Sequence, residues 1–101
     1  MKLFVDDERH PFNVVANPND WIVVRNVEDA WLIVQSLHKF ITEMSLDHDL
    51  GEGRLTGYDL LLKMAEENIW PIKSIYIHSM NPVGRERMNG IVQRYFIGVE
   101  N

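Results

Sequence analysis

A chain of 101 residues, 46% hydrophobic and 25% charged, is the size of one domain, and no run approaches the roughly 18 consecutive apolar residues of a membrane span. Ten Lys and Arg against fifteen Asp and Glu give a net charge of −5, which disfavours sequence-independent binding to long nucleic acid but leaves room for a short or terminal phosphate. With no cysteine, disulfides, thiolate catalysis and cysteine-held zinc are excluded, so any metal must be held by oxygen or imidazole.

The opening "MKLFVDDERH" meets an acidic pair after three apolar residues and lacks the core and cleavage site of a secretory signal, so a cytoplasmic setting is expected. "KLFV" reads as a strand covered on both faces and ending at Asp6. Two prolines and three asparagines make residues 10–20 a loop rather than a helix. "WIVVR", residues 21–25, is the second strand. Asn26 caps a helix with Asp29 at its positive end and a stripe of Ala30, Trp31, Ile33, Val34 and Leu37. "KFITEMSL", residues 39–46, is a third strand interrupted by Thr42 and Glu43. Thr56 and Asp59 then open a helix over residues 57–68, with Leu60, Leu61, Met64 and Ala65 on one side, which Pro71 prevents from continuing. "KSIYIHS" is the fourth strand, and Asn81 with Pro82 starts a last helix expected to bury Val83, Met88, Ile91, Val92 and Tyr95.

Strands separated by helices at these intervals predict a three-layer α/β sandwich with parallel strands. In such sheets ligands bind at the carboxyl edge, where strand order reverses. Asp6 and Asp7, the group Asp47 to Asp49, and His78 with Ser79 all stand at strand carboxyl ends and should converge there. Taken singly, each has an ordinary reading. An Asp pair after an apolar run is a solvated turn, His78 a hydrogen-bonded core residue, Ser79 and Asn81 a strand end and a helix cap, and Arg85 and Arg87 a solvated helix face. Their joint placement outweighs these readings. His10 and His38 read as surface residues, and Trp21, Trp31 and Trp70 as packing. Crowded carboxylates repel unless protonated or compensated by a cation, and Mg2+ or Mn2+ suits oxygen ligands and retains waters that a phosphate can replace. Ser79, Asn81 and the helix amino terminus offer donors to that phosphate, with Arg9, Arg85 and Arg87 near in sequence.

"VDD" after the first strand, an acid after the third, "TGYDLLLKM" and Ser79 resemble the receiver domain of two-component response regulators over most of the chain. The resemblance implies that Asp6 and Asp7 bind magnesium, that a third-strand acid accepts phosphoryl, and that Ser79 contacts it. The apolar run ends at Asp47, whereas the spacing to Gly57 suits Asp49, so both acids stay open for that role. Residues 10–20 replace the first receiver helix, no lysine follows the fourth strand, and the chain ends where the fifth strand and helix should begin or finish. These departures weaken a signalling reading. The set "VDDERHPF", "SLDHDLG", "TGYD" and "IHSMNPVGRERM", spanning residues 3–88, resembles more closely the cyclic-phosphate processing receiver-like family of small bacterial and phage domains. That likeness implies a truncated receiver-like (flavodoxin-like) fold with a mainly parallel four- or five-stranded sheet, histidines around the acidic pocket, and the handling of cyclic phosphates.

The leading expectation is a divalent-metal-dependent phosphoesterase (a hydrolase, cyclic phosphodiesterase) acting on a cyclic nucleotide or an RNA 2′,3′-cyclic phosphate end. Asp6, Asp7 and Asp47 would hold Mg2+ or Mn2+, and His48 or His78 would shuttle protons. Asp49 would orient His48 or complete the coordination, and Arg9 and Ser79, with Asn81 and Arg85, would steady the phosphate. Adjacent residues in an extended segment point to opposite faces, so Asp47, His48 and Asp49 reach one pocket only through a bend, which Gly51 allows. The alternatives are a non-catalytic module that binds a cyclic nucleotide or phosphate-terminated RNA, and a degenerate receiver that contacts a protein partner.

Overall fold

In the computed structural model, which describes residues 1–96, four strands of four residues each form one sheet: β1 (Lys2–Val5), β2 (Trp21–Val24), β3 (Glu43–Leu46) and β4 (Ser74–Ile77). Their order is β2-β1-β3-β4 and every neighbouring pair is parallel. The place of a fifth strand falls on residues 97–101, outside the described ones. Three helices, α1 (Val27–Leu37), α2 (Gly57–Glu67) and α3 (Pro82–Ile91), give the described residues the receiver-like α/β architecture expected from the sequence.

Register fixes the two faces, because paired residues in parallel strands point the same way. Leu3 and Val5 align with Val24, Met44 and Leu46 and join one buried cluster with Ala30 and Val34 of α1, Leu60 and Met64 of α2, and Met88 of α3. All three helices therefore pack on this face. Lys2 and Phe4 align with Trp21, Val23, Glu43 and Ser45, and so with Ser74 and Tyr76, on the opposite face. The connections β2 to β3 and β3 to β4 advance across the sheet in one direction. That from β1 to β2 runs the other way, so right-handed crossover places residues 6–20 over the second face. The third layer is accordingly thin. Each of its two short 3-10 turns, Pro11–Asn13 and Pro18–Asp20, is opened by a proline that supplies a fixed φ without needing a donor.

Local signals set the helix starts. Asn26 accepts from Asp29 N–H (2.8 Å) and Asn81 from Gly84 N–H (3.0 Å), while Thr56 and Asp59 form a reciprocal capping box. Helix α2 stops one residue earlier than expected, because Asn68 takes a left-handed conformation (φ 54°) beyond Glu67. The third strand is also shorter than residues 39–46, since His38–Phe40 tightens into a 3-10 turn that prolongs α1. Two core residues expected of the last helix are exposed: Val83 (68%) and Tyr95 (41%). Met88 and Val92 are buried as expected, and Gly84 and Phe96 face inward in place of the other two. The reason is geometric: Gly84 lets α3 lie close to His48, and a π turn over Val92–Phe96 advances the inward position from Tyr95 to Phe96. Leu37, expected in the α1 stripe, is likewise exposed at the helix end, and Val27 is buried at its start. Among the described residues no helix is long and apolar enough to cross a membrane.

Candidate functional site

Backbone pairing continues one residue past three of the strands. Asp6 N–H donates to Val24 O (3.0 Å), Asp47 N–H to Val5 O (2.9 Å) and His78 N–H to Leu46 O (3.0 Å), which sets these residues in one row at the carboxyl edge. The row crosses the point between β1 and β3 where strand order reverses. Side-chain alternation turns all three toward the face of Phe4, Ser45 and Tyr76.

Asp6 is 1% exposed and heavily hydrogen-bonded. Its Oδ1 accepts from Glu8 N–H (2.9 Å) and Arg9 N–H (2.7 Å), and its Oδ2 from His78 Nε2 (3.0 Å) and Arg9 Nε (3.2 Å). Asp47 Oδ1 accepts from His48 N–H (2.8 Å) and lies 3.6 Å from Arg9 Nη2. Asp6, Asp7 and Asp47 each offer an oxygen within 4.8 Å of the others. A cavity of about 700 Å3 opens beside them, lined also by Glu8, Arg9, Asp49, Glu52 and the exposed Met80. The chain bends at His48 and again at Gly51 (φ 111°), and Asp49, Gly51 and Glu52 all line this cavity.

The two buried carboxylates respond oppositely to their surroundings. Burial pushes Asp6 upward, but the N–H groups of Arg9 and Glu8 and the His78 ring outweigh it and hold the carboxyl below its ordinary value. Asp47 is raised, first by burial and then by the negative charge of Asp6, against which His48 N–H and Arg9 give only partial relief. Burial also lowers His78, opposed by its bond to Asp6. A neutral ring satisfies both contacts: Nε2–H donates to Asp6, and the Ser45 hydroxyl donates to Nδ1 across 2.7 Å. The ring also stacks on Phe4, with centroids 4.5 Å apart. His78 is thus a buried support for Asp6 with both nitrogens engaged.

The remaining candidates are distributed around this centre. Asp49 lines the acidic cavity, whereas the His48 ring turns away, pairs with Asp49 through Nδ1 (3.0 Å) and packs on Gly84 of α3. A methyl at Gly84 would overlap that ring. Gly84→Ala is therefore expected to displace His48, read as a changed His48 ring signal in NMR with a lowered melting temperature; an unchanged ring signal would count against this packing. Ser79 is buried and its Oγ accepts from Asn81 N–H (3.1 Å), Asn81 caps α3, and Arg85 Nη1 donates to Ser79 O (3.3 Å). These three tie together the β4–α3 turn, and Met80 is the member of that turn that reaches the cavity. Arg87 lies over the Tyr58 ring (4.2 Å).

Two residues that sequence reasoning passed over support the site. Arg25 Nη1 donates to Asp6 O (3.0 Å) and Arg9 O (2.9 Å), closing the loop that carries Asp6, Asp7 and Arg9. It follows β2 directly, so the rule that selected the other strand ends also reaches it. Ser45 shows no such sign, since only tertiary pairing brings it to His78.

A family model described as the cyclic-phosphate processing receiver domain matches residues 1–94. The chain belongs to this family. No curated protein and no solved structure matches it. The departures of this cyclic-phosphate processing receiver domain from a signalling receiver are visible in the fold: 3-10 turns stand between β1 and β2 in place of a helix, and His78, Ser79, Met80 and Asn81 join β4 to α3 without a lysine.

Proposed function

We propose that the protein is a divalent-metal-dependent phosphoesterase that opens a cyclic phosphate, of a nucleotide or an RNA 2′,3′-cyclic end. The observation that carries this reading is the convergence of Asp6, Asp7 and Asp47 within 4.8 Å at the sheet's switch point, beside an open cavity. The donors fit Mg2+ or Mn2+: all are hard carboxylate oxygens, and burial together with the neighbouring Asp6 charge raises Asp47, a burden that a bound cation would relieve. When bound, the ion would supply Lewis acidity toward phosphoryl oxygen and a water of lowered pKa. Asp6 and Asp47 hold their positions through the N–H groups of Glu8, Arg9 and His48. Arg9, which lines the cavity, presents guanidinium donors to phosphate oxygens. Asp49, whose carboxylate is largely exposed at the rim, is the acceptor for a proton leaving the attacking water.

Titration with Mg2+ and Mn2+, followed by product analysis on cyclic mononucleotides, cyclic oligonucleotides and RNA ending in 2′,3′-cyclic phosphate, tests the reading. Metal-dependent ring opening is expected, and no product from any substrate would overturn it. A second reading, a binding module without turnover, is favoured by the engagement of both His78 nitrogens and the outward turn of His48, which leave carboxylates as the proton acceptors lining the cavity. It predicts ligand retention without product.

Two substitutions probe how the residues share the work. His78→Gln is expected to weaken divalent-ion binding about 10- to 100-fold, the usual cost of losing a group that orients a ligand. A normal ion affinity with a reduced kcat would instead make His78 a proton shuttle. Arg9→Gln removes a cation that competes for Asp6 and Asp47, so ion affinity should rise while KM for a cyclic phosphate increases. Calorimetric ion titration and steady-state kinetics read the two effects separately.

A further inference from the structure

The thin face of the sheet carries a second cavity, of about 430 Å3, within the roughly 300–1,000 Å3 typical of small-molecule sites. It runs from the row of Lys2, Trp21 and Glu43, past Ser45 and Tyr76, to the edge of His78, and is bordered by Val14, Val15, Ala16 and Asn17 of the thin layer. Its far end meets the acidic site through a shared residue: His78 lines this cavity while its Nε2 holds Asp6. Along β3, Ser45 precedes Asp47 by two residues, about 6.6 Å.

The geometry points to a nucleobase subsite, in which this cavity takes the planar heterocycle of a nucleoside whose cyclic phosphate lies at the acidic edge. Only the phosphate end of this inference rests on the phosphoesterase reading. Valine and aromatic side chains give flat apolar walls suited to a ring. Polar groups of both kinds meet the cavity, as the mixed donors and acceptors of a base edge require. Glu43 offers a carboxylate that Lys2 (3.1 Å), Tyr76 (2.9 Å) and Ser74 (3.2 Å) fix in place, Lys2 offers an ammonium, and Ser45 a hydroxyl. A wholly aliphatic ligand would cover these groups without matching them.

Titration of the full chain with adenosine, guanosine, cytidine and uridine, followed by 1H–15N NMR, tests the subsite apart from catalysis. At least one nucleoside is expected to give saturable shifts at residues 14–17, Ser45, Tyr76 and the Trp21 indole. Ala16→Trp and Asn17→Trp, two exposed positions on the cavity border, fill the space and should each abolish the shifts without lowering the melting temperature. In the kinetic arm, a nucleoside 2′,3′-cyclic phosphate should exceed base-free ribose 2,3-cyclic phosphate in kcat/KM by about tenfold or more, an advantage both variants lose. Nucleoside shifts without ring opening of any cyclic phosphate would uphold the subsite and overturn the phosphoesterase reading. No saturable response up to about 10 mM, shifts centred elsewhere, or shifts unchanged in a folded filling variant would overturn the subsite, even with ring opening intact.

Discussion

Gly57→Ala is expected to cost about 3–5 kcal/mol and to lower the melting temperature by about 12 °C or more. The first residue of α2 sits against the end of β3, where its N–H donates to His48 O (2.9 Å). A Cβ at this position would overlap the backbone carbonyl oxygen of Asp47 and press on Met88 Cε. The methionine can swing aside, but the carbonyl cannot, because Asp47 is held by its own N–H to Val5 O. The helix must therefore withdraw, or Asp47 must leave the row it shares with Asp6. Thermal unfolding checks the magnitude, and a variant within about 1 kcal/mol of the parent would show that the approach is softer than its geometry implies.

Asp6→Asn and Asp47→Asn should change stability in opposite directions while both abolish divalent-ion binding. The folded-state pKa of Asp6 lies below the ordinary 3.8, so its ionised form stabilises the fold above pH 3.8, and this contribution is lost as pH falls through the lower folded value. Asp6→Asn is then destabilising at pH 7, with a deficit that shrinks in acid. Asp47 has the reverse sign. Its folded pKa is raised above 3.8, so ionisation opposes folding at neutral pH, and the cost disappears once both states are protonated below 3.8. Asp47→Asn should melt higher than the parent at pH 7 without metal, and the gain should fade toward pH 3. Ion affinity should drop in both by more than the about 10- to 100-fold assigned to an orienting partner. Melting curves between pH 3 and 7, with and without Mn2+, separate the effects; equal destabilisation by both changes would show that Asp47 carries no burden of charge.

Much of this was legible because it is local. Asn26, Thr56 and Asn81 announce their helices through side-chain caps to N–H groups three residues away. The rule that parallel strands present their carboxyl ends together was enough to bring Asp6, Asp7 and Asp47 to one edge. Features set by distant packing were not legible. The outward turn of His48 depends on a glycine 36 positions later in α3, and the change of inward face from Tyr95 to Phe96 depends on a π turn. Glu43 looked like an interruption of a strand. Its neighbours Lys2, from β1, and Ser74 and Tyr76, from β4, are distant in sequence, and only the sheet shows it to be a partnered group facing the thin layer.

The unequal clothing of the sheet separates two tasks along the chain. Folding energy comes from the helical side, where Leu3, Val5, Met44 and Leu46 are sealed, while the short stretch from Val14 to Asn17 borders the other side from a connection with little core of its own. Lengthening or rewriting that stretch can alter which molecule is admitted while leaving the scaffold's stability almost untouched. Selectivity in a protein of this size can thus diverge quickly without passing through unstable intermediates.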